Sequence, residues 1–345
     1  MKNSIFINAL NNKKSGRVPF IPAIYEHKAW FIHQTPSQVC KGPELFFRAL
    51  MAEYEIVRAD ALTIGLDVYN IEAEALGCTV TYYSGDDVSI PAIPADGHLH
   101  YPGVDEFLKM PVPNPLKSGR MPVNIEVTKR IVKELEDEIP VRGAVSGPFS
   151  LAVMLFGVEE IFILAMNDPD ELRKVLQKCS DVIQEYGKAF IDSGSGIIVF
   201  DSQATPELIS PSMYGKLIMP FHKQLIDCFK NLGCEHVPLI IGGNTTSIID
   251  DYIGTGANNI LCDARSDHSV FLEKCSTVNR AYRRNIPSDG FQDLNTERLY
   301  ETAAQYIKEA QSYRGFILGT GVVPYGTPTE NLLAVRRAVF ENANT

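Results

Sequence analysis

Gly196–Asp201 reads G-I-I-V-F-D: an unbroken apolar run that stops on a carboxylate. A strand buried on both faces has this pattern, because neither face can alternate with polar residues. On its N-terminal side, Asp168–Asp192 carries apolar residues at helical spacing. On its C-terminal side Pro211–Leu232 does the same, with Pro220 expected to kink or break the helix because it lacks an N–H. P-L-I-I-G-G-N-T-T (Pro238–Thr246) then repeats the motif of an apolar run ending on polar residues. Helix, buried strand, helix, buried strand is the unit of a parallel α/β sheet.

The same alternation extends in both directions. Upstream lie V-P-F-I-P-A-I-Y (Val18–Tyr25), a helical pattern over Glu44–Arg58, A-L-T-I-G-L-D (Ala61–Asp67) and V-R-G-A-V-S-G-P-F-S (Val141–Ser150). Downstream lie N-I-L-C-D (Asn259–Asp263), V-N-R-A-Y-R-R-N (Val278–Asn285), F-I-L-G-T-G (Phe316–Gly321) and a closing helix over Glu330–Glu341. Eight strand-like runs followed by helical sequence predict an α/β chain folded as a (β/α)8 TIM barrel, one domain over residues 1–345 with an N-terminal extension. A doubly wound open sheet would carry a glycine-rich phosphate loop after an early strand, and neither G-x-G-x-x-G nor a Walker loop is present. Tyr82–Arg120, rich in Pro and Gly, interrupts the alternation after strand two and is expected to run over the barrel mouth.

Composition narrows the partners. The formal charge of −10 argues against a nucleic-acid or anionic-membrane footprint. The N-terminus has no signal-peptide pattern and no run is long enough to span a bilayer. The seven cysteines include no Cys-x-x-Cys pair, which leads to the expectation of a reduced, cytoplasmic chain.

Barrel chemistry collects at the carboxyl ends of the strands. Those ends supply Glu26 and His27, Asp67 with Asn70, Ser146–Ser150, Asp201 with Gln203, Asn244, Asp263, Asn285 and Thr320. Each alone reads equally as a helix cap or loop hydrogen bond; the ring they form together reads as a site. His27 is a candidate acid/base, Asp67 a carboxylate for a hydrogen-bond donor or metal, and Glu72 and Glu74 follow it closely. Asp201 and His222, with one more carboxylate such as Asp67, would suit zinc. His98 and His100 form a loop pair, and Arg142, Arg283 and Arg284 are candidate anion contacts. No G-x-S-x-G elbow supports a serine nucleophile.

Several stretches together resemble the uroporphyrinogen decarboxylase superfamily. They are R-V-P-F-I-P (17–22), G-L-D-V-Y-N-I-E-A-E-A-L-G-C (65–78), V-S-G-P-F-S-L-A (145–152), F-D-S-Q-A-T-P-E-L-I-S-P (200–211), I-G-G-N-T-T (241–246) and G-T-G-V-V-P-Y-G-T-P-T-E-N (319–331). The resemblance implies a barrel with its site at the C-terminal mouth. The decarboxylase branch places an arginine-rich stretch after strand one, where this chain has Y-E-H-K-A-W-F-I-H (Tyr25–His33). Its aspartate matches Asp67, and its strand-eight histidine is replaced by Thr320. The thiol-methylating branch binds zinc at positions that here read Ile240, Gly242 and Thr320, so those ligands are missing.

The chain looks most like a third branch, the methyltransferase components of O-demethylases and related systems. That resemblance implies transfer of a methyl group from a small O- or N-methylated compound to a cob(I)amide on a separate corrinoid protein. In this reading Asp67, His27, Asp201 and His222 are the catalytic candidates. Glu26, Asn70, Gln203, Asn244, Asp263, Asn285 and Thr320 are the substrate-binding ones. Zinc, if used, would take carboxylate and imidazole ligands from Asp201, His222 and Asp67, and a homo-oligomer is allowed. The alternatives are a decarboxylase of a small acid or tetrapyrrole, and a non-catalytic barrel that binds a tetrapyrrole or corrinoid.

Overall fold

The computed structural model describes residues 4–99, 104–310 and 313–342. Eight strands occur in it: β1 (Phe20–Ala23), β2 (Leu62–Ile64), β3 (Val141–Ser146), β4 (Gly196–Phe200), β5 (Leu239–Ile240), β6 (Asn259–Cys262), β7 (Ala281–Ile286) and β8 (Phe316–Val322). Every ladder is parallel, in two runs ordered β1-β8-β7-β6 and β2-β3-β4-β5. Joined end to end, this is the cyclic order of a (β/α)8 barrel. At the β1–β2 seam the Asp60 N–H donates to the Phe20 carbonyl at 3.0 Å. At the β5–β6 seam a side chain replaces the ladder. The Tyr252 hydroxyl donates to the Leu239 carbonyl (2.8 Å) and accepts from the Ile241 and Leu261 N–H groups (2.9 and 3.1 Å). One buried phenol thus satisfies three backbone groups where β5, only two residues long, leaves them unpaired.

The bottom of the barrel is closed by the N-terminal extension. Helix Ile5–Leu10, capped by Ser4, buries Phe6, Ala9 and Leu10 against Ile21, Ala61, Ala281 and Ile317. Around the outside, helix Pro169–Asp192 is capped by Asp168, whose Oδ1 accepts from the Glu171 N–H at 3.0 Å. It buries Val175, Leu176, Ile183, Tyr186 and Phe190, each worth about 1.5–3 kcal/mol of burial. The break expected near Pro220 is real and has a defined form. Residues Tyr214–Ile218 form a π-turn, and the α-helix restarts at Met219–Asn231 with Pro220 in its first turn, where a missing N–H costs nothing.

The segment after strand two is irregular, as its composition predicts, apart from a 3-10 turn at Ala95–Gly97 and helix Val104–Lys109. A bridge between Thr81 and Ala92 folds it back so that Ile90–Ile93 reach the barrel mouth. His98 is tied to the Met154 carbonyl at 2.9 Å, and His100 lies outside the described residues.

Candidate active site

The carboxyl ends of the strands enclose a cavity of about 480 Å3. Its walls are largely apolar, with Tyr25, Val68, Phe200, Ile240 and Leu261 among them, and the Tyr25 and Phe200 rings meet edge to face at 5.7 Å. Convergent polar groups in an apolar wall mark a binding cavity, and here they come from five loops and strands.

Glu26 stands just past β1 and is 7% exposed. Burial raises its carboxyl above the usual range, only partly opposed by its own backbone N–H and by Lys28, and Oε2 has no partner. Asp67 is held from two sides. Arg120 donates Nη1 to Oδ1 (3.0 Å) and Nη2 to Oδ2 (2.7 Å), and Asn70 Nδ2 donates to Oδ2 (3.2 Å). Arg120 also donates Nε to Glu74 (2.6 Å), and Asn70 reaches the Pro91 carbonyl (2.6 Å), so this cluster ties the irregular segment to the mouth. Tyr69 donates its hydroxyl to Ser202 Oγ at 2.6 Å. Asp263 is oriented by the N–H groups of Gly243 (2.8 Å) and Ala264 (2.9 Å). On β7, Arg283 and Asn285 are two residues apart and so share the inward face. Arg284, on the other face, bonds Glu309 and His268 and stacks on Tyr306.

Six expected site residues lie elsewhere. His27 is fully buried beside the cavity. Its Nδ1 sits 3.0 Å from the Pro324 carbonyl, its ring packs on Phe31, and burial lowers its pKa to about 4. Asp201 and His222 do meet, Nε2 to Oδ2 at 2.6 Å, but both are wholly buried and neither lines the cavity. Asp201 instead accepts from the Phe149 and Ser150 N–H groups (3.2 and 2.6 Å), capping the helix Pro148–Phe156. Gly147 permits that approach, since a Cβ there would fall 2.2 Å from the Asp201 Cβ. His222 Nδ1 meets the Tyr214 hydroxyl at 3.2 Å across the π-turn. Gln203 points its backbone N–H at Ser150 Oγ (3.0 Å), and its neighbour Ser202 takes the place at the cavity. Asn244 is exposed, and its Oδ1 accepts from the Thr246 N–H in a local turn (3.2 Å). Thr320 Oγ1 accepts from the Ala23 N–H (2.9 Å), serving the β1–β8 ladder. For Asp201, Asn244 and Thr320 a backbone N–H claims the side-chain oxygen that strand-end position alone offered to substrate. Glu26, Asp67, Asn70, Asp263 and Asn285 do converge on the cavity.

Glu72 makes a pH prediction. It is fully buried, its Oε1 accepts from the Ser146 N–H at 2.7 Å, and burial raises its pKa from 4.5 to about 7. The folded value lies above the unfolded one. The stability associated with neutral Glu72 is therefore complete below about pH 4.5 and lost as pH rises through about 7. Urea melts of wild type and Glu72→Gln at pH 5 and pH 8 should show the variant gaining about 2.5 kcal/mol relative to wild type between the two conditions. Parallel pH dependence of the two proteins would contradict it.

The fold and the cavity together define a (β/α)8 barrel of the enzyme type, with its polar groups gathered at the strand carboxyl ends. The chain belongs to the uroporphyrinogen decarboxylase (URO-D) family, whose model matches residues 1–341. A methylcobamide:CoM methyltransferase of Methanosarcina acetivorans is 30% identical over 217 residues, which is 63% of this chain and 61% of that relative. A methylated-thiol–coenzyme M methyltransferase of Methanosarcina mazei is 26% identical over 344 residues, covering 94% of this chain and 86% of the relative. A solved methyltransferase structure from Methanosarcina mazei has the same fold, with TM-score 0.82 and 19% identity over 98% of both chains.

Zinc does not fit at the three positions that the family resemblance singled out in the sequence. Ile240 and Gly242 border the cavity without a ligating atom, and Thr320 is committed to Ala23. The carboxylate–imidazole alternative also fails on its donors: Asp67 is gripped by Arg120, apart from the Asp201–His222 pair. Among the described residues no three His, Cys, Asp or Glu side chains gather as a ligand set.

Proposed function

We propose that the protein transfers a methyl group from a small methylated compound, preferably a methyl ether, to a cob(I)amide carried by a separate corrinoid protein. The observation that carries this reading is Glu26, a carboxyl whose pKa burial raises and which faces the cavity with an unpartnered oxygen. The names of the relatives, which act on methylcobamide and methylated thiols, support the class of reaction.

The chemistry requires such a group. A cob(I)amide acceptor would supply the nucleophile for the methyl carbon; as the C–O bond breaks, its electrons remain on the leaving oxygen. An alkoxide is a poor leaving group, so a proton delivered to that oxygen lowers the barrier. Glu26 supplies the proton, is left as carboxylate, and recovers a proton from water after product departs. The largely apolar walls around Tyr25, Phe200, Ile240 and Leu261 disfavour water beside the methyl carbon. Asp67, locked by Arg120 and Asn70, shapes the pocket and fixes the covering segment. The corrin ring, too large for this cavity, would lie face-on across its opening.

A small-acid decarboxylase is the second reading, favoured by one observation: Arg283 faces the cavity. The test is direct. Purified protein is mixed anaerobically with cob(I)alamin, or with a corrinoid protein encoded beside it, and a panel of methyl ethers and methylamines. Decay of the cob(I) absorbance with growth of methylcobalamin supports methyl transfer. No transfer from any donor to either acceptor sinks it, and release of CO2 from an acid in the panel would establish the decarboxylase.

A further inference from the structure

Arg283 is 3% exposed and lines the cavity, yet among the described residues its guanidinium makes no hydrogen bond and joins no ion pair. A buried charge without a partner costs several kcal/mol, so an unpaired guanidinium at a cavity wall marks a place where a ligand completes the structure. Two further buried atoms at the same cavity are also unpartnered, Asn285 Oδ1 and Glu26 Oε2. The backbone is built to admit this arrangement. A Cβ on Gly319 would fall 2.5 Å from Asn285 Oδ1 and 2.6 Å from Arg283 Cδ, so a glycine on β8 is what lets both side chains lie across the barrel interior. Arg142 adds a second buried guanidinium whose charge acts on Arg283; it spends one nitrogen on Thr63 Oγ1 (2.9 Å) and leaves Nε and Nη1 unpartnered. Asp263 is the carboxylate whose field reaches Arg283, but its two oxygens are already taken by backbone N–H groups.

We propose that the methyl donor is a carboxylate: its anionic end pairs with Arg283, the Asn285 side-chain amide N–H donates to the same end while its Oδ1 accepts from a donor on the ligand or a water, and the methyl-bearing oxygen lies toward Glu26. This rests on the methyl-transfer reading and names its substrate class. A single planar anion matches the guanidinium fork. A dianion such as phosphate would crowd a second charge against Asp263, and a quaternary ammonium donor would meet an unpaired cation. Between the two ends, Tyr25, Phe200 and Leu261 offer an apolar surface to the body of the molecule.

Binding is measured without any corrinoid, so its outcome is independent of turnover. The probes are methoxyacetate, 3-methoxypropionate and 4-methoxybenzoate, their neutral amides, and inorganic phosphate, each titrated calorimetrically into the full chain. At least one acid should bind about ten-fold or more tighter than its amide, as a charge-assisted pair allows. Arg283→Gln should erase that preference, while Arg283→Lys should keep part of it. Equal affinity for acid and amide, a preference that survives Arg283→Gln, tighter binding of phosphate than of the acids, or no saturable binding by any acid would each overturn the assignment. If Arg283→Gln fails to melt cooperatively, the acid-to-amide ratio in wild type and Arg283→Lys decides. Carboxylate binding without methyl transfer would leave the anion site standing and remove the reaction; methyl transfer from neutral ethers alone would do the reverse.

Discussion

Glu26→Gln is expected to slow methyl transfer from a methyl ether by about 10²–10⁴-fold, the usual contribution of a positioned general acid. Glutamine keeps the size and hydrogen-bonding shape of the side chain but holds no transferable proton. The affinity of the ether should change little, so the loss falls on kcat. Two further readouts separate a proton donor from a packing residue. First, wild-type turnover should fall as pH rises through the raised pKa of Glu26, because only the protonated form acts, and the residual activity of the variant should lack that limb. Second, the defect should shrink when the leaving group needs no proton. An ether of an acidic phenol departs as a stabilised phenoxide, which needs no proton to leave. A uniform loss across good and poor leaving groups would show that Glu26 only shapes the pocket.

Asp201→Ala is expected to cost about 3–5 kcal/mol of stability, because it strands three buried donors at once and each typically costs about 1–3 kcal/mol. These are the N–H groups of Phe149 and Ser150 at a helix start and the imidazole of His222. The released volume is enclosed on all sides, Asp201 being fully buried, so water cannot freely replace the carboxylate. Chemical denaturation of wild type and variant measures the difference. Activity per folded molecule should fall far less than in Glu26→Gln. A stable Asp201→Ala protein with abolished turnover would return Asp201 and His222 to the chemistry.

These two residues show how far the sequence reaches. Glu26 and Asp201 both follow apolar strand runs, and strand-end position offers them equally to a substrate. Glu26 faces an apolar cavity with a free oxygen, whereas Asp201 faces the first turn of Pro148–Phe156, whose backbone donors claim it. Arg120 was invisible as a site residue for a related reason. It meets Asp67 across a sequence separation of 53, and nothing local to either announces the pair. Arg283 was legible as an anion contact, but its neighbour Arg284 looked equivalent until the strand fixed which of the two points inward.

The sequence by itself determined the barrel. Doubly buried strands must be apolar throughout and helices must carry one apolar stripe, so eight alternations are written in the chain at short range. It also located the mouth, because polar residues follow directly where apolar runs end. Only the tertiary structure decided which of those polar residues are free. Freedom is what remains after every buried backbone donor has found an acceptor, and that depends on contacts between distant segments. Tyr252, Thr320 and Asp201 are spent on that demand. Glu26 and Arg283 are not, and they are left facing the same cavity.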